Sequence, residues 1–295
     1  MTDGQQSAVV GLGLFLSEVA ALCFPAIVNQ GPIVFPDTRA YYLGGWAALE
    51  KARALIEWHA SGASATSVDV SVQKARGARS VFYSLFTYLM TDLSSLWLVV
   101  ALQAVIVALA LRLTFNLLCP QQPRWRGTLF IILVAIATTA SWTVSMVMPD
   151  VFTPVVVLCV ILAMLFWQRL SLGTRWALVA AITAGVVMHL TNLPIALGVL
   201  AAGILLRRKL LRFEWSRYLA VTGGLGAGVV AMLAVGVVGF GQWTLSPQAP
   251  PFLLARSIAD GPGKLYLQDH CPQIGLTMCR HLAHPIQRAE VYFIS

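Results

Sequence analysis

The chain has 295 residues, 58% of them hydrophobic and only 11% charged, with a mean hydropathy of +0.77. Soluble domains carry about a quarter charged residues, so these proportions exclude an ordinary water-soluble globule. The net charge of +8 comes from Lys and Arg scattered in short segments between long apolar runs. There is no single basic face, which excludes nucleic acid as the partner.

Apolar runs lie at 8–29, 93–115, 127–148, 151–168, 174–189, 192–206 and 218–240. About 20 helical residues cross the roughly 30 Å hydrocarbon core of a bilayer, so each run is read as one span. The expected fold class is all-α, a polytopic transmembrane bundle of about seven spans whose large first outer loop carries interfacial helices. The expected division is a transmembrane domain at 1–240, with its outer loop at 30–80, and an outer tail at 241–295. The first run is read as a permanent helix, because its flank lacks positive charge and Glu18 interrupts it, unlike a cleaved signal peptide. In the loop, Tyr42, Trp46, Leu49 and Ile56 recur at helical spacing among Glu50, Lys51, Arg53 and Glu57, the pattern of a surface-lying helix. A polar stretch, Gly62 to Val72, follows. From Arg79 to Leu118 the chain is twice the length of a span, so it divides into an interfacial helix near Val81–Met90 and a span after Asp92. Trp176 to Leu206 would make a rod of about 45 Å and divides near His189, Thr191, Asn192 and Pro194 into two short helices.

The connections alternate in charge. Arg112, Arg124 and Arg126, then Arg169 and Arg175, then Arg207, Arg208, Lys209, Arg212 and Arg217 fall in every second connection, whereas Met146–Asp150 and Leu190–Asn192 hold no Lys or Arg. The positive-inside rule puts the first set, and the N-terminus, in the cytoplasm. An integral, multi-pass protein of the cell inner or plasma membrane results.

That topology brings Asp37, Arg39, Arg79, Asp92, Asp150 and His189 to the outer surface. In a compact bundle they would line an outward cavity suited to a phosphate, held by arginine, and to proton transfer by a carboxylate. Each also has a plainer reading: Asp37 or Thr38 as a helix cap, Asp92 and Asp150 as acids at helix starts, Arg39 and Arg79 as snorkelling side chains, His189 as a helix-end hydrogen-bonding group. Glu18 lies mid-span and needs a partner or a proton.

Cys23, Cys119 and Cys159 read as small apolar residues. Cys271 and Cys279, in the outer tail, are a disulfide candidate, with zinc held alongside His270, His281 and His284 as the alternative. No nucleotide-binding, zinc-protease or serine-hydrolase motif occurs, and the Gly223–Gly226 run has no repeat elsewhere of the kind a transporter shows.

Three segments are similar to motifs of one family. Pro36-Asp37-Thr38-Arg39-Ala40-Tyr41-Tyr42 resembles its first-loop acid-plus-aromatic motif, Gly77-Ala78-Arg79-Ser80-Val81-Phe82-Tyr83 the start of its second span, and Met148-Pro149-Asp150-Val151-Phe152 the Pro-Asp opening of its fourth. Over residues 8 to 240 the layout resembles the C-type fold of polytopic membrane glycosyltransferases, which use polyprenyl-phosphate-linked sugars. The resemblance implies sugar transfer from a lipid-linked donor to an envelope acceptor on the outer leaflet. It casts Asp37 as the general base or metal-orienting acid, with Asp150 in support. Arg39, Arg79 and His189 would meet the lipid phosphate, and Tyr41 would contact substrate; a divalent metal is possible and no other cofactor is implied. This chain departs from many members in lacking a second acid beside Asp37 and in carrying His189-Leu190-Thr191-Asn192 where they have a Lys. It also ends soon after its last span, as a truncated member would. A non-enzymatic assembly or lipid-handling partner, or a transporter, are the alternative functions.

Overall fold

The computed structural model describes residues 3–61, 79–210, 215–246, 249–275 and 279. Among these the regular structure is helical, with one isolated parallel bridge, Ile33 to Met146. Gly77 and Ala78, the stretch Gly62 to Val72, Arg212, His281 and His284 lie outside the described residues.

The first apolar run is two helices, α1 (Asp3–Leu22) and α2 (Phe24–Val28), not one. Pro25 enters the first turn of α2 and has no N–H to give the ladder of α1, so the helix restarts there. α3 (Pro36–Ser61) and α4 (Val81–Leu93) then pack side by side. Gly45 permits this approach: a Cβ there would stand 2.1 Å from the Ser84 carbonyl oxygen. α5 (Leu96–Leu118) is separated from α4 at Ser94 and Ser95, just beyond the division expected after Asp92, so Asp92 and Leu93 belong to α4.

The third run departs from expectation. In place of one helix over 127–148 there are α6 (Arg124–Ala137) and α7 (Ala140–Ser145), followed by extended residues that reach a short 3-10 turn at Pro149–Val151. Polar side chains take over the ladder at the break: the Thr138 hydroxyl donates to Val134 O and accepts from Ala140 N, while Ser141 donates to Ala135 O at 2.7 Å. α8 (Phe152–Phe166) is apolar on every side and is buried on most of them, packed by α5 and by three later helices. Those are α9 (Leu172–Met188), α10 (Asn192–Leu210) and α11 (Trp215–Phe240). The division of α9 from α10 falls at His189 to Thr191, beside Asn192 and Pro194.

Among the described residues three helical segments, Leu96–Leu118, Pro149–Arg169 and Trp215–Phe240, are long and apolar enough to cross a membrane; 8–22, 172–188 and 192–206 are apolar but shorter. One large core runs through α1 to α11. α12 (Ala249–Ala259) and α13 (Pro262–Ile274) form a hairpin around a second small cluster, Ile258, Leu267 and Cys271. The Cys271–Cys279 disulfide closes that cluster.

Two arginines counted as connection charges, Arg112 and Arg217, are tied by their guanidiniums to neighbouring helices. Arg112 lies in α5 and its guanidinium meets both carboxylate oxygens of Glu18, which is 0% exposed. Thr128 of α6 donates to the same carboxylate at 2.7 Å, so α1, α5 and α6 are joined at one buried point. Arg217 is buried in the first turn of α11 and donates to Met164 O at 2.6 Å, near the end of α8, where helical carbonyls lack partners.

Candidate functional site

The bridge at Ile33 builds the site. Ile33 N donates to Ser145 O at 2.9 Å and Val147 N donates to Ile33 O at 3.0 Å, so the chain entering α3 lies against the chain entering α8. The Thr38 hydroxyl adds a bond to Val147 O at 3.2 Å and accepts from Phe35 N at 2.9 Å. The helix therefore begins at Pro36 with Thr38 reaching back to cap it, and Asp37, in the first turn, is not itself the cap.

A second node fixes the other side. Ser80 caps α4 by accepting from Tyr83 N and donates to Val187 O at 2.6 Å, which holds Arg79 beside the end of α9. Tyr83 donates to Gln103 Oε1 at 2.8 Å, and Gln103 Nε2 donates to both Val144 O and Met146 O at 2.9 Å. Gln103 is fully buried in α5. Its amide pairs with carbonyls at the end of α7 and at the start of the extended segment before Asp150.

These anchors bring five of the expected side chains together. Arg79 forms an ion pair with Asp37, each side chain one-third exposed. Asp150 Oδ1 and His189 Nε2 stand 3.9 Å apart, too far for a direct hydrogen bond. Tyr41, one turn on from Asp37 in α3, meets Tyr83 edge to face with ring centroids 4.8 Å apart. Burial pushes the Tyr41 phenol up to about 12, with Arg79 lowering it and Asp37 and Asp150 raising it, so all three charges act on one hydroxyl. The His189 imidazole, just past the end of α9, is pulled below its ordinary value by burial and by Arg79, against the opposing pull of Asp150. It is the neutral form that this site favours.

Arg79, His189 and Tyr41 open onto a cavity of about 200 Å³. Apolar side chains are mixed with these polar groups, Val81, Phe82 and Val187 as well as Met232, Val235 and Phe240 of α11, and Asp37 and Asp150 are not among its lining residues. Such a lining can hold an anion at Arg79 with apolar groups beside it.

Two expected members are elsewhere. Arg39 is exposed and has no ion-pair partner among the described residues; two positions from Asp37, it points to the opposite side of α3. Asp92 is exposed in the last turn of α4, about 20 Å along the helix from Arg79, and does not cap α5. Thr38 was expected only as a cap, and sequence reasoning missed its bond to Val147, the roles of Ser80 and Gln103, which position the charges, and the contact of Lys51, whose ammonium donates to Gly239 O at the end of α11. The Ser80 cap was readable from Ser-x-x-Tyr before an apolar run; the Gln103 and Lys51 contacts depend on which helices meet.

Among the described residues no three His, Cys, Asp or Glu side chains gather to hold a metal ion. The disulfide commits Cys271 and Cys279 to each other, and His270 stacks on Tyr266 instead of turning to them. No family model matches the chain, and neither a curated protein nor a solved structure does.

Proposed function

We propose that this chain is a multi-pass protein of the cell inner or plasma membrane. It crosses about seven times with its N-terminus in the cytoplasm, and transfers a sugar from a polyprenyl-phosphate donor to an envelope acceptor on the outer leaflet. The topology is supported by the alternation of basic connections. Large apolar side chains on the outside of the helices, such as Ile136, Leu205 and Val230, suit a lipid surround. The segments that meet at the cavity, around Tyr41, Arg79, His189 and Phe240, are all ones that this topology places outside.

The observation that carries the reading is the Asp37–Arg79 pair, whose arginine lines, with Tyr41 and His189, a cavity of mixed polar and apolar lining. A lipid-linked sugar has the matching form: a hydrocarbon chain, a phosphate and a sugar. When its phosphate arrives, Arg79 is shared between two anions, and Asp37 is freed to accept a proton. The acceptor hydroxyl then attacks the anomeric carbon and gives its proton to Asp37. The bond from that carbon to the phosphate oxygen breaks, and the leaving phosphate keeps the electron pair beside Arg79. His189, neutral near pH 7, serves as a hydrogen-bond donor to the phosphate, with Asp150 beside it.

The test is incorporation of radiolabelled sugar from polyprenyl-phosphate donors by the purified full-length chain and by Asp37→Asn. Transfer by the parent and at least a hundredfold loss in Asp37→Asn, at equal membrane abundance, supports the reading; no transfer from any donor by a folded parent overturns it. One observation favours a second reading. The Asp37–Arg79 pair already neutralises both charges and ties α3 to the start of α4, as an assembly partner with no chemistry of its own would need.

A further inference from the structure

The end of α11 is folded back on itself by two glycines. Gly241 takes a φ of +67°, and the exit is a Schellman turn in which Gly241 N donates to Val237 O and Gln242 N donates to Gly236 O. The chain then runs back against Gly236, where a Cβ would stand 2.3 Å from Thr244 O and 2.9 Å from Gln242 O. Leu245 packs on the main core. Thr244, Leu245 and Ser246 thereby become one side of the cavity that holds Arg79 and His189. The strap forms one side of a space of about 200 Å³, below the roughly 300–1,000 Å³ of pockets for drug-sized ligands.

We propose that the strap at residues 241–246 is a specificity determinant, a wall that admits only a single polar headgroup, of phosphate or monosaccharide size, to Arg79 and His189. The inference rests on reading the cavity as a ligand site, though not on sugar transfer. Gly236 is its positioning residue, because any larger side chain there displaces the strap.

Thiol labelling of the full-length chain in lipid nanodiscs tests this. Met232→Cys, in a Cys119→Ser background, puts a reporter on a buried part of the cavity wall. A small methanethiosulfonate reagent is expected to label it at least tenfold faster than a bulky fluorescein maleimide, after each rate is normalised to that reagent's rate with free cysteine. Gly236→Val is expected to reduce that ratio to about one. Should Gly236→Val fail to fold, replacing Thr244, Leu245 and Ser246 with glycine thins the same wall without forcing the backbone, and the same loss of discrimination is expected. A bulky reagent that already labels as fast as the small one, or a ratio unchanged in folded strap variants, overturns the proposal while leaving sugar transfer open. No labelling by the small reagent removes the ligand cavity itself, and with it this inference.

Discussion

Two charged clusters in this chain use the same chemistry at different depths. Glu18, Arg112 and Thr128 are locked together with the carboxylate at 0% exposure, and every oxygen of that carboxylate is engaged. Asp37 and Arg79 are each one-third exposed, and Asp150 is 55% exposed opposite His189. A buried pair of this kind cannot release either member without stranding a charge, so it acts as a rivet. The exposed set leaves donors and acceptors open to a ligand. Depth, more than residue type, separates the structural charges from those offered to chemistry.

The sharpest way to break that contrast is to remove one partner from each cluster. Arg112→Met strands the Glu18 carboxylate and is expected to cost about 3–5 kcal/mol, read as a large drop in thermal midpoint in detergent and in membrane abundance. A loss under 1 kcal/mol would mean that water reaches Glu18 and that it belongs with the exposed set. Gly45→Ala comes next, because the added Cβ collides with the Ser84 backbone and forces α3 from α4, at about 1–3 kcal/mol by the same thermal measurement.

The exposed cluster responds more gently. His189 is held neutral by burial, so the folded chain binds its proton less readily than the unfolded chain does. Stability from this group is complete above its ordinary value of 6.5 and declines as the pH falls through that value toward the lowered one. Thermal scans between pH 7.5 and 5.5 are expected to show a fall in midpoint that His189→Gln reduces; identical slopes would contradict the assignment. Arg39→Ala is expected to change stability by no more than about 0.5 kcal/mol and to leave any activity intact, since the side chain faces away from Asp37. An Arg39→Ala loss matching that of Arg79→Ala would put it back in the site.

Much of the helical layout was legible because it depends on local rules. The split between α9 and α10 follows from rod length and from Asn192 and Pro194, and the split between α4 and α5 from a run too long for one span. The break after α6 was not legible, since Thr138 and Thr139 sit within an apolar run and their effect depends on hydroxyls turning back to the ladder. Asp37, Arg79, Asp150 and His189 were legible as separate helix-end charges; that they meet depends on Ile33 pairing with Met146 and Ser80 reaching Val187. Glu18 announced that it needed a partner. Arg112 went unrecognised as that partner because it lies close enough to the end of its helix to pass for a connection charge.

The central claim is that the Asp37 cluster stands on the outer face of the membrane, with the basic connections on the other. The most direct measurement is labelling of intact cells by a membrane-impermeant maleimide, in a Cys119→Ser background, at Gln30→Cys just before α3 and at Ser171→Cys at the start of α9. Both positions are exposed. The account predicts that Gln30→Cys reacts in intact cells, whereas Ser171→Cys reacts only after the membrane is permeabilised. Reaction of Ser171→Cys from outside would contradict it and turn the cavity toward the cytoplasm.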